Sequence, residues 1–217
     1  MMPIINIGVD LDGVCANFAK KFSEFANEMY GKRCYIIEDP STIKHWNWHK
    51  WYQIQKAEEG EVWEKIVNTP DFWTSLEVLN LSQWEYFLDK IGNANNINVY
   101  FITDRAETVG ISATKQSALW LLKHKWKYPY VIKTAEKAKF VEMLNIEYFI
   151  DDKAENLISI KEHNPNCKMY AQDALYNVDA LNASKIDYKR VSGLRLMADE
   201  VLEETYMRKY SQEWKKT

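Results

Sequence analysis

Acidic side chains stand where apolar segments of the sequence end. Asp10 and Asp12 follow a β-branched run at the start of the chain, and Asp151 and Asp152 end a second apolar run. In open α/β sheets the carboxyl ends of the strands meet along one edge, so we expect these four carboxylates to lie close together. Crowded carboxylates disfavour one another's ionisation, and a divalent cation removes that conflict. Because oxygen ligands suit a hard ion, the sequence predicts a Mg²⁺ site formed by these residues.

Groups that could bind phosphate follow a strand predicted between the two acidic pairs. Thr103, Asp104 and Arg105 come at the end of this strand, and Lys137 opens a later predicted helix. A cation beside a nucleophilic carboxylate, a hydroxyl and a lysine matches phosphoryl transfer, in which catalysis is mainly positioning and charge neutralisation. We therefore predict that Thr103, Asp104, Arg105 and Lys137 bind phosphate.

Two of these assignments have strong alternatives. A lysine early in a helix is usually a solvated surface residue, and Lys139 is close enough to Lys137 to take its role. Lys137 is favoured and Lys139 remains the alternative. Arg105 fits a phosphate or substrate contact and a surface ion pair equally well.

The elements that must position these residues alternate along most of the chain. Strands are predicted at 4–11, 97–103, 130–132, 147–151 and 168–171. Helices are predicted at 14–30, 82–92, 112–126, 136–144, 155–162 and 192–210. Strands that alternate with helices indicate a doubly wound α/β fold, with a parallel sheet covered on both faces.

Residues 31–80 interrupt this alternation. They are aromatic and charged, contain no convincing strand, and have plausible helices at 47–59 and 61–68. We predict a small α-helical cap at 16–80, inserted after the first strand, and an α/β core formed by 1–15 and 81–217. Such a cap closes over a substrate, excludes water and carries specificity.

Composition limits the classes of function. The 217 residues are 47% hydrophobic with a net charge of −3, which indicates a globular protein and no general binder of polyanions. No segment approaches the roughly 20 apolar residues that cross a bilayer. Cys15, Cys34 and Cys167 are odd in number and widely spaced, as expected of free thiols in a reducing compartment. These features predict a cytoplasmic protein without a membrane partner.

The motifs in this order resemble those of the haloacid dehalogenase (HAD) superfamily over roughly residues 4–155. Residues 9–14, VDLDGV, resemble its first motif, DxDGV, and residues 101–103, FIT, resemble the second. Lys137 resembles the lysine of the third motif, and residues 150–152, IDD, resemble the acidic fourth motif. The resemblance implies a HAD-like Rossmannoid core.

The resemblance also implies catalytic roles. Asp10 attacks phosphorus and forms an aspartyl-phosphate. Asp12 protonates the leaving oxygen and then activates the hydrolytic water. Thr103 and Lys137 hold the phosphate oxygens.

A metal site follows from the same resemblance. Asp10, the backbone carbonyl of Asp12, and Asp152 or Asp151 bind Mg²⁺. We favour Asp152 as the direct ligand, with Asp151 acting indirectly or through water.

A narrower resemblance is to the 5′(3′)-deoxyribonucleotidases. Residues 10–18, DLDGVCANF, are similar to that family's DMDGVLADF, whose final Phe stacks on the nucleotide base, a role that Phe18 would inherit. Residues 69–76, TPDFWTSL, resemble its PGFFxxL segment, so Phe72 and Trp73 are predicted to contact substrate. Asn17 replaces the family's usual acid, and residues 104–105 replace a Ser-Pro-like continuation, which bears on substrate more than on reaction.

The segment 45–52, HWNWHKWY, has three interpretations. Aromatic and basic residues together could stack on single-stranded nucleic acid. His45 and His49 could bind zinc from one face of a helix, although no Cys or acid has matching spacing. We favour a small cap that packs its aromatic residues as a core, with some rings reaching the substrate.

We therefore predict a Mg²⁺-dependent hydrolase of nucleoside monophosphates, most simply of deoxyribonucleotides. The alternatives are a HAD phosphatase for another small phosphomonoester and, from another class, a nucleic-acid end-processing or binding module. The latter needs a basic groove, of which a net charge of −3 gives little sign. A small-molecule nucleotide is the expected partner. A homodimer stays open, because the sequence does not fix the oligomeric state.

Overall fold

A single six-stranded parallel sheet organises the protein. The computed structural model describes residues 4–214. The strands are β1 Ile5–Val9, β2 Ile97–Thr103, β3 Tyr130–Lys133, β4 Tyr148–Asp151, β5 Lys168–Gln172 and β6 Lys189–Val191. Their order across the sheet is β3-β2-β1-β4-β5-β6, and every neighbouring pair is parallel. The predicted doubly wound α/β class is confirmed.

Helices connect and cover the strands. They are α1 Phe18–Tyr30, α2 Trp48–Tyr52, α3 Lys56–Val67, α4 Leu81–Lys90, α5 Ala113–Lys123, α6 Lys137–Met143, α7 Ala154–His163, α8 Val178–Ser184 and α9 Arg195–Trp214. Within residues 4–214, no helix combines the length and apolarity needed to cross a membrane.

Alternation along the strands separates two buried hydrophobic clusters. On β2, Phe101 belongs to one cluster and Ile102 to the other, and on β4 the same is true of Ile150 and Phe149. Successive strand side chains point to opposite faces of a sheet, so each cluster fills one face. Both faces of the sheet are therefore covered here, which explains why these strands consist largely of apolar residues.

Two adjacent pieces of chain join the inserted segment, residues 16–80, to the sheet domain, which is the α/β core. Ala16 and Val78 form an antiparallel bridge, and the Asn17 N–H donates to the Glu77 carbonyl at 2.9 Å. The Leu79 N–H donates to the Cys15 carbonyl at 2.7 Å. This narrow neck supports the proposed division at residues 16 and 80, which stays a prediction.

Several elements differ from the sequence-based predictions. The helix predicted at 47–59 is two helices, because Gln53 has a left-handed backbone with φ of 55°. Helix α4 begins at Leu81, one residue before the predicted start, and is capped by Asn80, whose side chain accepts from the Gln83 N–H. Strand β6 and helix α8 were not predicted. β6 has only three residues, two of them charged, and so lacks an apolar run.

Successive strands are added first on one side of β1 and then, from β4 onwards, on its other side. Strands β2 and β3 extend from one side of β1, while β4, β5 and β6 extend the sheet on the other. A crevice opens at such a switch point, at the carboxyl ends of the strands. Asp10 directly follows β1 and Asp151 ends β4, so both lie at this crevice.

Candidate active site

Three carboxylates meet at the carboxyl ends of β1 and β4. Asp10, Asp151 and Asp152 each offer one oxygen, and these oxygens lie within 4.8 Å of one another. All three residues are buried. An all-oxygen cluster of this kind fits a hard divalent cation such as Mg²⁺.

Lys137 links two of these carboxylates. Its Nζ lies 2.8 Å from Oδ1 of Asp10 and donates to Oδ2 of Asp151 at 2.6 Å. The side chain begins helix α6 and is only 4% exposed, so the first turn of that helix delivers an ammonium into the interior. Lys139 is exposed and pairs with Glu136, outside this cluster. Lys137 therefore lies in the acidic cluster, and Lys139 lies at the surface.

Burial governs the ionisation of these groups. Desolvation raises the pKa of Asp10 to about 7; the charges of Asp151 and Asp12 add to this, while Lys137 opposes it. Desolvation, followed by Asp151 and Asp10, raises the pKa of Asp152 well above its usual range. Burial alone lowers the pKa of Lys137, but the neighbouring carboxylates outweigh it, so this pKa lies above its ordinary value. The metal-free protein therefore disfavours the ionised forms of Asp10 and Asp152, and a bound cation would favour them.

Asp151 and Asp152, at the end of β4, differ in their hydrogen bonds. Oδ1 of Asp151 accepts from the Lys153 N–H at 2.8 Å and from Asn156 at 3.1 Å. Its Oδ2 accepts from Asn156 at 3.0 Å as well as from Lys137. Oδ1 of Asp152, in contrast, takes part in none of the hydrogen bonds within the described residues. This difference supports the proposal that Asp152 binds the cation directly and Asp151 acts indirectly.

Asp12 is held by Arg105. Nε of Arg105 donates to Oδ2 of Asp12 at 2.8 Å, and its second terminal nitrogen donates to Oδ1 at 2.7 Å. The guanidinium also donates to Oγ of Ser117 at 3.0 Å and lies 4.8 Å from the centre of a Trp73 ring. Arg105 is 1% exposed. The structure therefore shows Arg105 in an ion pair that is buried and not at the surface, while its contact with phosphate stays a prediction.

Substitution of Arg105 should affect catalysis through Asp12. In Arg105→Lys the charge remains, but an ammonium cannot reproduce the two parallel hydrogen bonds to the carboxylate. We expect kcat to fall about tenfold to a hundredfold while KM for substrate changes little, measured by steady-state phosphate release. An equally large rise in KM would instead support a direct contact with substrate phosphate.

Thr103 and Asp104 both line the cleft beside the acidic cluster. Thr103 ends β2, is 1% exposed, and its hydroxyl makes no hydrogen bond within the described part of the chain. That hydroxyl is available to a phosphate oxygen. Asp104 is exposed, and its carboxylate would repel phosphate, so any phosphate contact from this residue must come from its backbone N–H.

A cleft of about 430 Å³ lies above the cluster, between the sheet domain and the inserted segment. The inserted segment contributes aromatic side chains, namely Phe18, Trp46, Trp48, Trp63 and Trp73. Phe18 is 8% exposed and stacks on Trp63 at 5.4 Å between ring centres. Trp63 is half-buried and is the outer ring of this pair.

The predicted substrate contacts of Phe72 and Trp73 have different outcomes in the structure. Phe72 is fully buried, packs against Phe18 and Phe25, and does not line the cleft. Its ring is part of the aromatic interior and not accessible to a substrate. Trp73 does line the cleft, and its Nε1 donates to the Ala106 carbonyl at 2.8 Å.

Sequence reasoning missed Tyr176, which donates a hydrogen bond to Oδ2 of Asp152. It named Arg105 as a site residue but did not pair it with Asp12. Tyr176 lies beyond β5, in a region without a recognisable motif, so no spacing pattern pointed to it. For Arg105 the one signal was its place directly after a site strand.

The sequence matches a known family over most of its length. Residues 3–184 match the family model described as 5′ nucleotidase, deoxy (pyrimidine), cytosolic type C protein (NT5C). Among curated proteins, the chain has no significant match.

Two solved structures are similar to this chain, and the first of them shares its fold. A haloacid dehalogenase-like hydrolase from Burkholderia xenovorans LB400 superposes with a TM-score of 0.51 at 11% identity, covering 93% of this chain and 98% of that one. A hydrolase from Pseudomonas syringae has a TM-score of 0.48 at 9% identity, covering 93% of this chain and 99% of that one. The first likeness supports the HAD-like fold and, at this identity, nothing finer.

Proposed function

Since this chain belongs to the 5′ nucleotidase, deoxy (pyrimidine), cytosolic type C family and is a HAD-type phosphatase, we propose that it hydrolyses nucleoside monophosphates with Mg²⁺. The proposed substrates are deoxyribonucleotides. One observation carries the proposal: Lys137 bridges Asp10 and Asp151, with Asp152 alongside, beneath a cleft lined with aromatic rings.

In the proposed reaction, a carboxylate oxygen of Asp10 bonds to phosphorus as the bond to the leaving oxygen breaks. Asp12 gives a proton to that oxygen, which leaves as the nucleoside hydroxyl. Asp12 then takes a proton from water, whose oxygen bonds to phosphorus and releases Asp10. Both oxygens of Asp12 accept from Arg105 in the structure, so one of these two hydrogen bonds opens when Asp12 carries the proton and the other keeps the side chain in place.

Lys137 and Thr103 are the proposed phosphate-binding groups. Lys137 carries a positive charge at the nucleophile, and Thr103 has an available hydroxyl at the cleft. Asp10, Asp152 and the backbone carbonyl of Asp12 would hold Mg²⁺. When bound, Mg²⁺ would neutralise charge that develops on the phosphate oxygens.

The aromatic residues of the cleft support a substrate that carries a planar base. Five of its sixteen lining residues are aromatic, all of them from the inserted segment, and Lys153 lies 5.3 Å from the centre of the Trp46 ring. Aromatic side chains stack on any nucleobase, because every base has a π-face, and a sugar phosphate has no such face. The polar side chains of Asn47 and Glu59 also line the cleft from the inserted segment, and they are the groups that another small phosphomonoester would use instead.

A cytoplasmic location remains part of the proposal. Cys15, Cys34 and Cys167 are all free and buried, which is compatible with a reducing compartment.

A phosphate-release screen tests the function. Nucleoside 5′- and 3′-monophosphates, in ribose and deoxyribose forms, are compared with sugar phosphates, each with and without Mg²⁺. We expect nucleotides to have the highest kcat/KM and activity to require Mg²⁺. Preference for sugar phosphates would favour the alternative phosphatase, and absence of turnover on every ester would contradict the proposal.

Trp63 offers the sharpest test of base stacking. Phe18 is buried, so Phe18→Ala would open a cavity and destabilise the inserted segment as well as weaken nucleotide binding. Trp63→Leu removes a half-buried ring at the cleft with less damage.

We expect Trp63→Leu to raise KM about tenfold for nucleotides, because stacking on one ring contributes roughly 1–3 kcal/mol. Turnover of glycerol phosphate should be unchanged. Trp51→Leu, also in the inserted segment but outside the cleft lining, is the matched control. Equal losses on both substrates would remove the stacking role.

A further inference from the structure

A short 3₁₀ turn after β5 contacts Asp152 through two neighbouring side chains. This turn is Leu175–Asn177. The Tyr176 hydroxyl donates to Oδ2 of Asp152, and Nδ2 of Asn177 donates to the Asp152 backbone carbonyl at 2.7 Å. Asn177 is itself fixed, because Arg190 donates to its side-chain oxygen at 3.0 Å. Both the carboxylate and the backbone of Asp152 are thus held from one turn.

Oδ2 of Asp152 also lies close to the loop after β1. Gly13 has φ of +80°, and a Cβ atom at this position would lie 2.2 Å from that oxygen. Only glycine leaves this space. Oδ2 is therefore close to both the Gly13 backbone and the Tyr176 hydroxyl, while Oδ1 makes no hydrogen bond within the described residues.

From this geometry we propose that Tyr176 is a positioning residue that orients Asp152 for Mg²⁺. The proposal rests on the proposed function, in which Asp152 is a metal ligand. A donor that holds one oxygen of a ligating carboxylate fixes the direction of the other oxygen, and loss of such a donor commonly weakens metal binding. Tyr176 does this here from outside the four HAD-like motifs.

The backbone and ring of Tyr176 connect this carboxylate to the inserted segment. The Tyr176 N–H donates to the Ile43 carbonyl at 3.0 Å, and the Trp46 ring meets the Tyr176 ring edge-on at 5.3 Å. Trp46 also lines the substrate cleft. The residue that orients Asp152 therefore also supports one wall of the cleft.

The test is direct measurement of Mg²⁺ affinity by calorimetry on substrate-free protein. Tyr176→Phe keeps the ring against Trp46 and removes only the hydroxyl. We expect the Kd for Mg²⁺ to rise about tenfold. At saturating Mg²⁺, kcat and KM should approach the wild-type values, because the hydroxyl does not touch substrate in this proposal.

Tyr86→Phe is the matched control. The Tyr86 hydroxyl also donates to a carboxylate, that of Asp199, and neither residue lines the cleft. Its loss should leave Mg²⁺ affinity unchanged. An unchanged Kd in Tyr176→Phe, or an equal change in Tyr86→Phe, overturns the positioning role. Because binding is measured without substrate, this result is independent of whether nucleotides prove to be the substrates.

Discussion

Replacing Asp10 with asparagine is expected to reduce phosphate release by about a thousandfold or more at saturating Mg²⁺. The amide keeps the shape of the carboxylate but is a poor nucleophile and a weaker metal ligand. The measurement is single-turnover phosphate release from the best nucleotide of the screen. In parallel, acid quenching during turnover should trap phosphate on the wild-type protein and none on the variant.

The loss in Asp10→Asn should not come from unfolding. Burial raises the pKa of Asp10 to about 7, which means that the folded protein disfavours its charged form. A neutral amide removes that cost, although Lys137 then keeps only Asp151 as a partner. We expect the melting temperature of the metal-free protein to change by only a few degrees.

Asp89→Asn is the matched control for Asp10→Asn. Asp89 is a surface carboxylate whose side chain is 72% exposed and pairs with its neighbour Lys90. This variant should match the wild type in rate and stability. If Asp10→Asn retained more than a few per cent of the wild-type rate, Asp10 would not be the nucleophile, and an acyl-phosphate intermediate would be excluded at this position.

The meeting of Asp10 with Asp151 and Asp152 was predictable from sequence. Each acid follows an apolar run that is buried on both sides, and parallel strands present their carboxyl ends along one edge. Local pattern and general topology together were enough to place these side chains near one another. The same logic predicted Thr103 at this edge, where the structure has it.

Contacts that depend on side-chain direction were not predictable in this way. The sequence left Lys137 and Lys139 as alternatives, because which face of α6 points inward depends on how the helix packs. For Arg105 the sequence left a phosphate contact and a surface ion pair as equal alternatives, and it could not show that the guanidinium would be buried against Asp12. Phe72 and Trp73 are adjacent, so a motif could not tell which ring would be covered.

Replacing Lys137 with methionine is expected to destabilise the metal-free protein by about 3–5 kcal/mol. Lys137 lies between two carboxylates, and its removal leaves Asp10 and Asp151 buried without a counter-charge. The measurement is urea denaturation at pH 8 in the presence of a chelator. Activity at saturating Mg²⁺ should also fall about a hundredfold to a thousandfold, because the variant lacks a charged donor to phosphate.

Lys139→Met is the matched control for Lys137→Met. Lys139 is two residues away on the same helix, exposed, and paired only with Glu136 at the surface. Its replacement should change stability by less than about 0.5 kcal/mol and leave the rate unaltered. The opposite ranking of the two variants would assign the phosphate contact to Lys139.

Mg²⁺ separates the two roles of Lys137. A cation bound among Asp10 and Asp152 supplies positive charge to the same acidic cluster, so Mg²⁺ should restore much of the stability that Lys137→Met loses. It should not restore the rate, since phosphate would still lack the ammonium beside the nucleophile. Recovery of both would mean that Lys137 acts only by balancing charge, while recovery of stability alone would establish it as a phosphate-binding group.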